Sequence, residues 1–193
     1  MFSPLGLPSF SFSPSRAAFA EKFSAELYLL HVVQDLALFI QNTFNTHSDL
    51  KTCLHLVLEG ICRRRNLVAG EIFSLSFDRT SLISSATYDI RGEGPGRIGE
   101  HISEVAFHRQ EPVLFQDLQK EELPEELRKE TRFRSARAIP IGFDDDILAV
   151  VVLYSEKKAE NSDGFTYLGE GLRNQIANNL ERKRTEDELG KIF

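Results

Sequence analysis

From position 15 to about position 43 no proline or glycine interrupts the chain, and Leu29, Val33, Leu36 and Ile40 recur at alternating spacings of four and three. At 3.6 residues per turn those intervals return to one side, so the spacing predicts a long helix with an apolar seam. Phe23, Leu27, Leu30 and Phe39 add apolar surface beside the seam. That is more than a helix lying on one small domain needs, and the helix is expected to pack on a partner subunit as well as on its own domain. A second helix is predicted behind Ser48 or Asp49 as N-cap, with Leu50, Leu54, Val57 and Ile61 as its buried stripe. Arg63, Arg64 and Arg65 fall in its last turn, either as a functional basic patch or, since cations suit the negative end of the helix dipole, as a solvated finish. The period then changes. Phe73, Leu75 and Phe77 alternate in a strand predicted over 67–77, and a partner strand follows at 82–88 after Asp78-Arg79-Thr80-Ser81, which is a hairpin pattern.

Beyond a glycine turn, Ile102, Val105 and Ala106 predict a helix over 100–110, and Pro112 holds Glu111 extended ahead of a short strand. Residues 118–134 carry five acidic and five basic side chains around Pro124, the composition of a polar loop with a helical turn. Strands are predicted at 135–142 and 147–155, joined by Phe143-Asp144-Asp145-Asp146. The second is apolar on both faces and must be central and covered on both sides. Asp163 is the expected N-cap of a last helix through Phe165, Leu168, Leu172, Ile176 and Leu180, whose charged end, 181–193, is expected to leave the domain. These elements make an α+β fold: a mostly antiparallel sheet of five or six strands, with the N- and C-terminal helices on one face and the 100–134 region on the other.

At 193 residues and 41% hydrophobic, the chain holds one full core with some additional helix. Residues 1–15, with Pro4, Pro8 and Pro14 among serines and phenylalanines, are expected to be a loose arm. A net charge of −6 argues against a nucleic-acid partner, and no apolar run approaches the roughly 20 residues that span a bilayer. A cytoplasmic protein is expected. Cys53 and Cys62 are the two cysteines, nine residues apart on one predicted helix and therefore on opposite sides of it; they read as core filling.

Gly94-Pro95-Gly96-Arg97-Ile98-Gly99 fits the dinucleotide-binding glycine pattern, with Asp117 downstream. The flanking hairpins are not the parallel units that such a fold needs, so the glycines read as a tight helix entry. His31, His47, His55, His101 and His108 show no metal-ligand spacing. His101 is either a cavity-bordering residue or an exposed cap. Arg137 is in phase with Ile139 and Ile141 on a strand and needs a partner: a ligand carboxylate or phosphate, a structural acid such as Asp117, or solvent at the sheet end. Arg132 and Arg134 either line the same opening or balance the glutamates of 121–130.

Gly96-Arg97-Ile98-Gly99, the helix from Glu100 to Gln110, Glu111-Pro112-Val113-Leu114-Phe115-Gln116-Asp117, and the hairpin from Arg134 to Ser155 follow in an order that resembles the GAF domain, a small-ligand sensor module. The resemblance extends over roughly 46–182, leaving 16–45 as an N-terminal dimerisation helix and 183–193 as a charged linker helix. It implies a non-catalytic sensor: a homodimer through the terminal helices that passes a ligand signal to a kinase or cyclase output module or other partner. In GAF domains the position of Arg137 is usually apolar, so the expected ligand is small and anionic, held near Arg137 with Arg97, His101, Arg134 and Asp117 around it. The resemblance does not specify the ligand or any cofactor. Bilin-binding and methionine-sulfoxide-reducing relatives use cavity cysteines, and none follows Cys62; the NKFDE residues of cyclic-nucleotide-binding relatives are absent too. The alternatives are a dimerisation scaffold with a collapsed cavity and, third, a cofactor-dependent enzyme.

Overall fold

The computed structural model describes residues 15–143, 146–159 and 164–190. Most of the predicted arm and Asp163 lie outside them, as do the side chains of Phe23, Leu29, Phe165 and Leu168. Two helices open the chain, α1 (Ser15–Thr46) and α2 (Leu50–Arg64), followed by strands β1 (Ala69–Leu75) and β2 (Leu82–Asp89). Then come α3 (Ile98–Arg109), β3 (Val113–Phe115), the short α4 (Glu125–Glu130), β4 (Ser135–Phe143), β5 (Asp146–Ser155) and α5 (Gly164–Gly190). The sheet has five strands in the order β2-β1-β5-β4-β3, every neighbouring pair antiparallel. The doubly apolar β5 is at its centre, as its composition requires.

Alternation along each strand divides the core into two layers. Ile72, Ile139, Ile141, Val151 and Leu153 pack beneath α1, α2 and α5. Phe73, Ala136, Ala138, Val150, Val152 and Tyr154 pack with Ile98, Ile102 and Ala106 of α3 on the opposite face. Asp49 caps α2, its carboxylate accepting from the Thr52 amide at 2.7 Å. Cys53 and Cys62 are both buried although they stand on opposite sides of α2, because that helix is enclosed by α1 and by the sheet.

Two elements, β1 and α5, depart from the pattern read along the chain, while α1 packs on its own domain as expected. The apolar seam of α1 is used within the domain: Leu36, Ile40 and Phe44 are in the core with α2 and α5, and Gly171 of α5 packs directly against Val33. Phe39 is taken up the same way, lying on α2 at Gly60 beneath the Arg64 guanidinium, 3.9 Å from the ring centroid. β1 ends at Leu75 and leaves Phe77 96% exposed. There the Ser76 and Asp78 side chains bind the turn backbone and so compete with the ladder. The end of α5 stays on the domain at least as far as Lys183 and Arg184. Lys183 is buried, and Arg184 donates to the Leu75 carbonyl at 3.1 Å.

Candidate ligand-binding sites on the two faces of the sheet

On the α3 face, Glu71 lies in the phase of Phe73 and is 7% exposed. Burial pushes its carboxyl up to about 7, against the hydrogen bond donated by the Tyr154 hydroxyl at 3.2 Å. Gly99, in the first turn of α3, makes this approach possible. A Cβ there would meet the Tyr154 hydroxyl at 2.8 Å and collide with the Glu71 carboxylate. Tyr154 stacks on Phe133 with ring centroids 4.6 Å apart. With Phe73 and Phe115 these rings fill the layer between α3 and the sheet, each no more than 8% exposed.

The residues singled out in the sequence do not converge. Arg97 is at the entry to α3, exposed, and pairs with Glu130 at 3.1 Å and Glu126 at 3.8 Å. His101 follows on α3, half-buried. Asp117, just after β3, binds Lys158 at 2.8 Å and Arg134 at 3.0 Å. The Lys158 hydrogen bond lowers its carboxyl pKa against burial, with help from the Arg134 charge. Arg137 shares the phase of Ile139 and Ile141 and so faces α1, α2 and α5, which puts the sheet between it and both His101 and Arg97. Strand phase alone does not say which helices cover which face. Arg132 is held by Asp89 at the end of β2, with both carboxylate oxygens at 2.6 Å, and not by the glutamates of 121–130. Burial raises the Asp89 carboxyl, but the hydrogen bonds from Arg132 and the Arg91 amide outweigh it and the net shift is downward.

Arg137 opens into a cleft of about 390 Å³ between the end of α2 and the β4–β5 edge, lined also by Arg65, Ser135, Ser155, Lys157 and Lys158. Burial lowers the pKa of its guanidinium, and the charge of Arg65 lowers it further. Arg65 stood out in the sequence only as one of three arginines ending α2, and Glu71, Lys157 and Lys158 did not stand out as site residues. Of the last three only Glu71 left a sign there, as a carboxylate in phase with Phe73 on a strand.

No family model matches the chain, and no curated protein matches it. Solved structures do. The GAF domain of an Acinetobacter phosphoenolpyruvate-protein phosphotransferase superposes with a TM-score of 0.63 at 15% identity, covering 83% of this chain and 98% of that one. The GAF fold is shown. The phycoerythrobilin-bound GAF domain of a cyanobacterial phytochrome matches at TM-score 0.64 and 10% identity, over 80% of this chain and 97% of that one. A free methionine-R-sulfoxide reductase from Neisseria meningitidis, in complex with its substrate, matches at 0.65 and 15%, over 80% and 91%. The GAF fold thus carries pigment-bound domains and an enzyme alike, and the side chains must decide. In this chain both cysteines are on α2, and burial raises both thiols, Cys62 to about 12, so neither is a thiolate near neutral pH.

Proposed function

We propose that the chain is a non-catalytic regulatory GAF domain that binds a small ligand and works as a homodimer through α1 and α5, passing the state of its sheet to an output module or partner. The observation that carries this reading is the outer side of α1. Leu27, Leu30 and Leu38 are 52%, 55% and 61% exposed; at 100° per residue Leu27 and Leu38 fall opposite Leu36 and Ile40, which face the core, and Leu30 lies on the flank between them. A helix apolar on both sides has one side to give to a second copy. The same α1 packs on α5 and α2, so a change in the dimer seam is a change in what covers the sheet.

Sedimentation tests it. The chain is expected to sediment as a dimer at about 100 μM, and Leu30→Asp with Leu38→Asp to give a folded monomer. A monomeric parent chain removes the homodimer from the reading.

The scaffold alternative is favoured by one observation, the aromatic filling of the α3 face. Binding of any small ligand that shifts the melting temperature counts against it.

A further inference from the structure

The cleft at Arg137 gathers cations from separate parts of the chain. Arg65 is the C-cap of α2, Arg137 is on β4, and Lys157 and Lys158 follow β5; no acidic side chain is among the described residues that line the cleft. The usual structural use of cations at a helix C-terminus is to bind its last carbonyls. Here main-chain amides already do so: that of Arg65 donates to Ile61, that of Asn66 to Arg63 and that of Leu67 to Cys62, at 3.0, 3.4 and 2.9 Å. The Arg65 guanidinium is therefore not needed to cap the helix. The walls are also held in place. The Ser135 hydroxyl donates to the Lys157 carbonyl at 2.7 Å, and the Ser155 hydroxyl accepts from the Lys157 amide at 3.1 Å. Asp117 binds Lys158 from outside the lining at 2.8 Å, which fixes that side chain and takes up part of its charge. Burial, and then the nearby charge of Arg65, raise the cost of the Arg137 charge, and an anion in the cleft relieves that cost.

From this we infer that the cleft between the end of α2 and the β4–β5 edge is a binding site for a small phosphate-bearing anion, gripped by Arg65 and Arg137 with Lys157 at the rim. The inference deepens the ligand half of the regulatory reading and places the ligand on the helix face of the sheet, away from α3. Guanidinium pairs favour phosphate because its oxygens accept parallel N–H bonds. A ligand there touches α2 and the central strands together, and so bears on the same helices that carry the proposed dimer.

Inorganic pyrophosphate is the probe, titrated into the full chain by calorimetry and by amide chemical shifts. Binding is expected with a dissociation constant below about 1 mM at low salt, weakening as salt rises. Arg137→Met and Arg65→Gln are each expected to weaken it about tenfold or more, and Lys157→Gln, an exposed change that keeps the fold, by a few-fold. Arg97→Gln and His101→Gln, on the other face, are expected to leave it unchanged. No binding at about 10 mM pyrophosphate overturns the proposal, as does equal binding by the Arg65 and Lys157 variants and the parent. Weakening by Arg97→Gln or His101→Gln with Arg137→Met neutral overturns it too, and moves the anion to the α3 face. Neither failure touches the dimer, which sedimentation reports separately.

Discussion

Glu71 and Arg137 are the same kind of exception, a charged side chain in the phase of apolar neighbours on a strand, yet the fold treats them differently. Glu71 is enclosed, with Tyr154 donating to it, while Arg137 reaches an open cleft beside another cation. For Glu71 the consequence is a pH dependence. Its folded carboxyl titrates near 7, above the ordinary 4.5, so between those values the folded chain holds a proton that the unfolded chain has released. Its contribution to stability is then greatest below about pH 4.5 and declines as pH rises to about 7. Glu71→Gln keeps the shape and removes the charge, and is expected to stabilise the protein at pH 8 by about 1–3 kcal/mol while changing little at pH 4.5. Urea unfolding of both proteins across that range checks it; parallel curves for the two would show that the carboxyl is already neutralised by other means.

At the level of elements, the joint between β2 and the segment entering β4 is centred on Arg132, which pairs with Asp89 and also with Glu93 and Glu156. The Asp89 carboxylate is only 2% exposed and is bound by Arg132, which also lies over the Phe133 ring at 4.5 Å. Removing one partner leaves a buried charge, so Arg132→Met is expected to cost about 3 kcal/mol. Adding Asp89→Asn should return a good part of that, since the remaining carboxylate is gone. Denaturant midpoints of the two single variants and the double variant measure the coupling, and strictly additive losses would mean that the pair contributes little. Arg134 and Lys158 hold Asp117 in a similar joint, but there the cations are themselves exposed and the acid has two of them, so loss of either one is expected to cost less.

For the molecule as a whole, α1 is part of the fold and more than an arm reaching towards a partner. Leu36, Ile40 and Phe44 are at most 2% exposed and lie in one cluster with Leu54, Ile61, Leu172 and Ile176. Deleting residues 15–46 uncovers that cluster, and the shortened chain is expected to lose cooperative thermal unfolding and to bind a hydrophobic dye. A shortened chain that melts within about 5 °C of the parent would show α1 to be an appended helix. The double-sided character of α1 follows from the same packing. One side completes the core and the other, with Leu27, Leu30 and Leu38, is left over.

Periodicity along the chain was enough for the elements and their order, because an apolar repeat of 3.6 or of 2 is a local property and Gly, Pro and Asp49 mark where it stops. It was also enough for the central place of β5, since a strand apolar on both faces has no other place to go. Fold class followed from those two facts. The candidate site did not, because phase tells which residues share a face and says nothing of what packs on that face. Arg137 was legible as an exception, but its companions Arg65, Lys157 and Lys158 come from positions up to 72 residues away in sequence and meet it only in the folded chain. Whether Val33 meets a second copy or Gly171 of its own chain was equally out of reach, since both surfaces look the same to a helix. Contact between segments far apart in sequence is set by how the layers fill space, and space is filled by the whole chain at once.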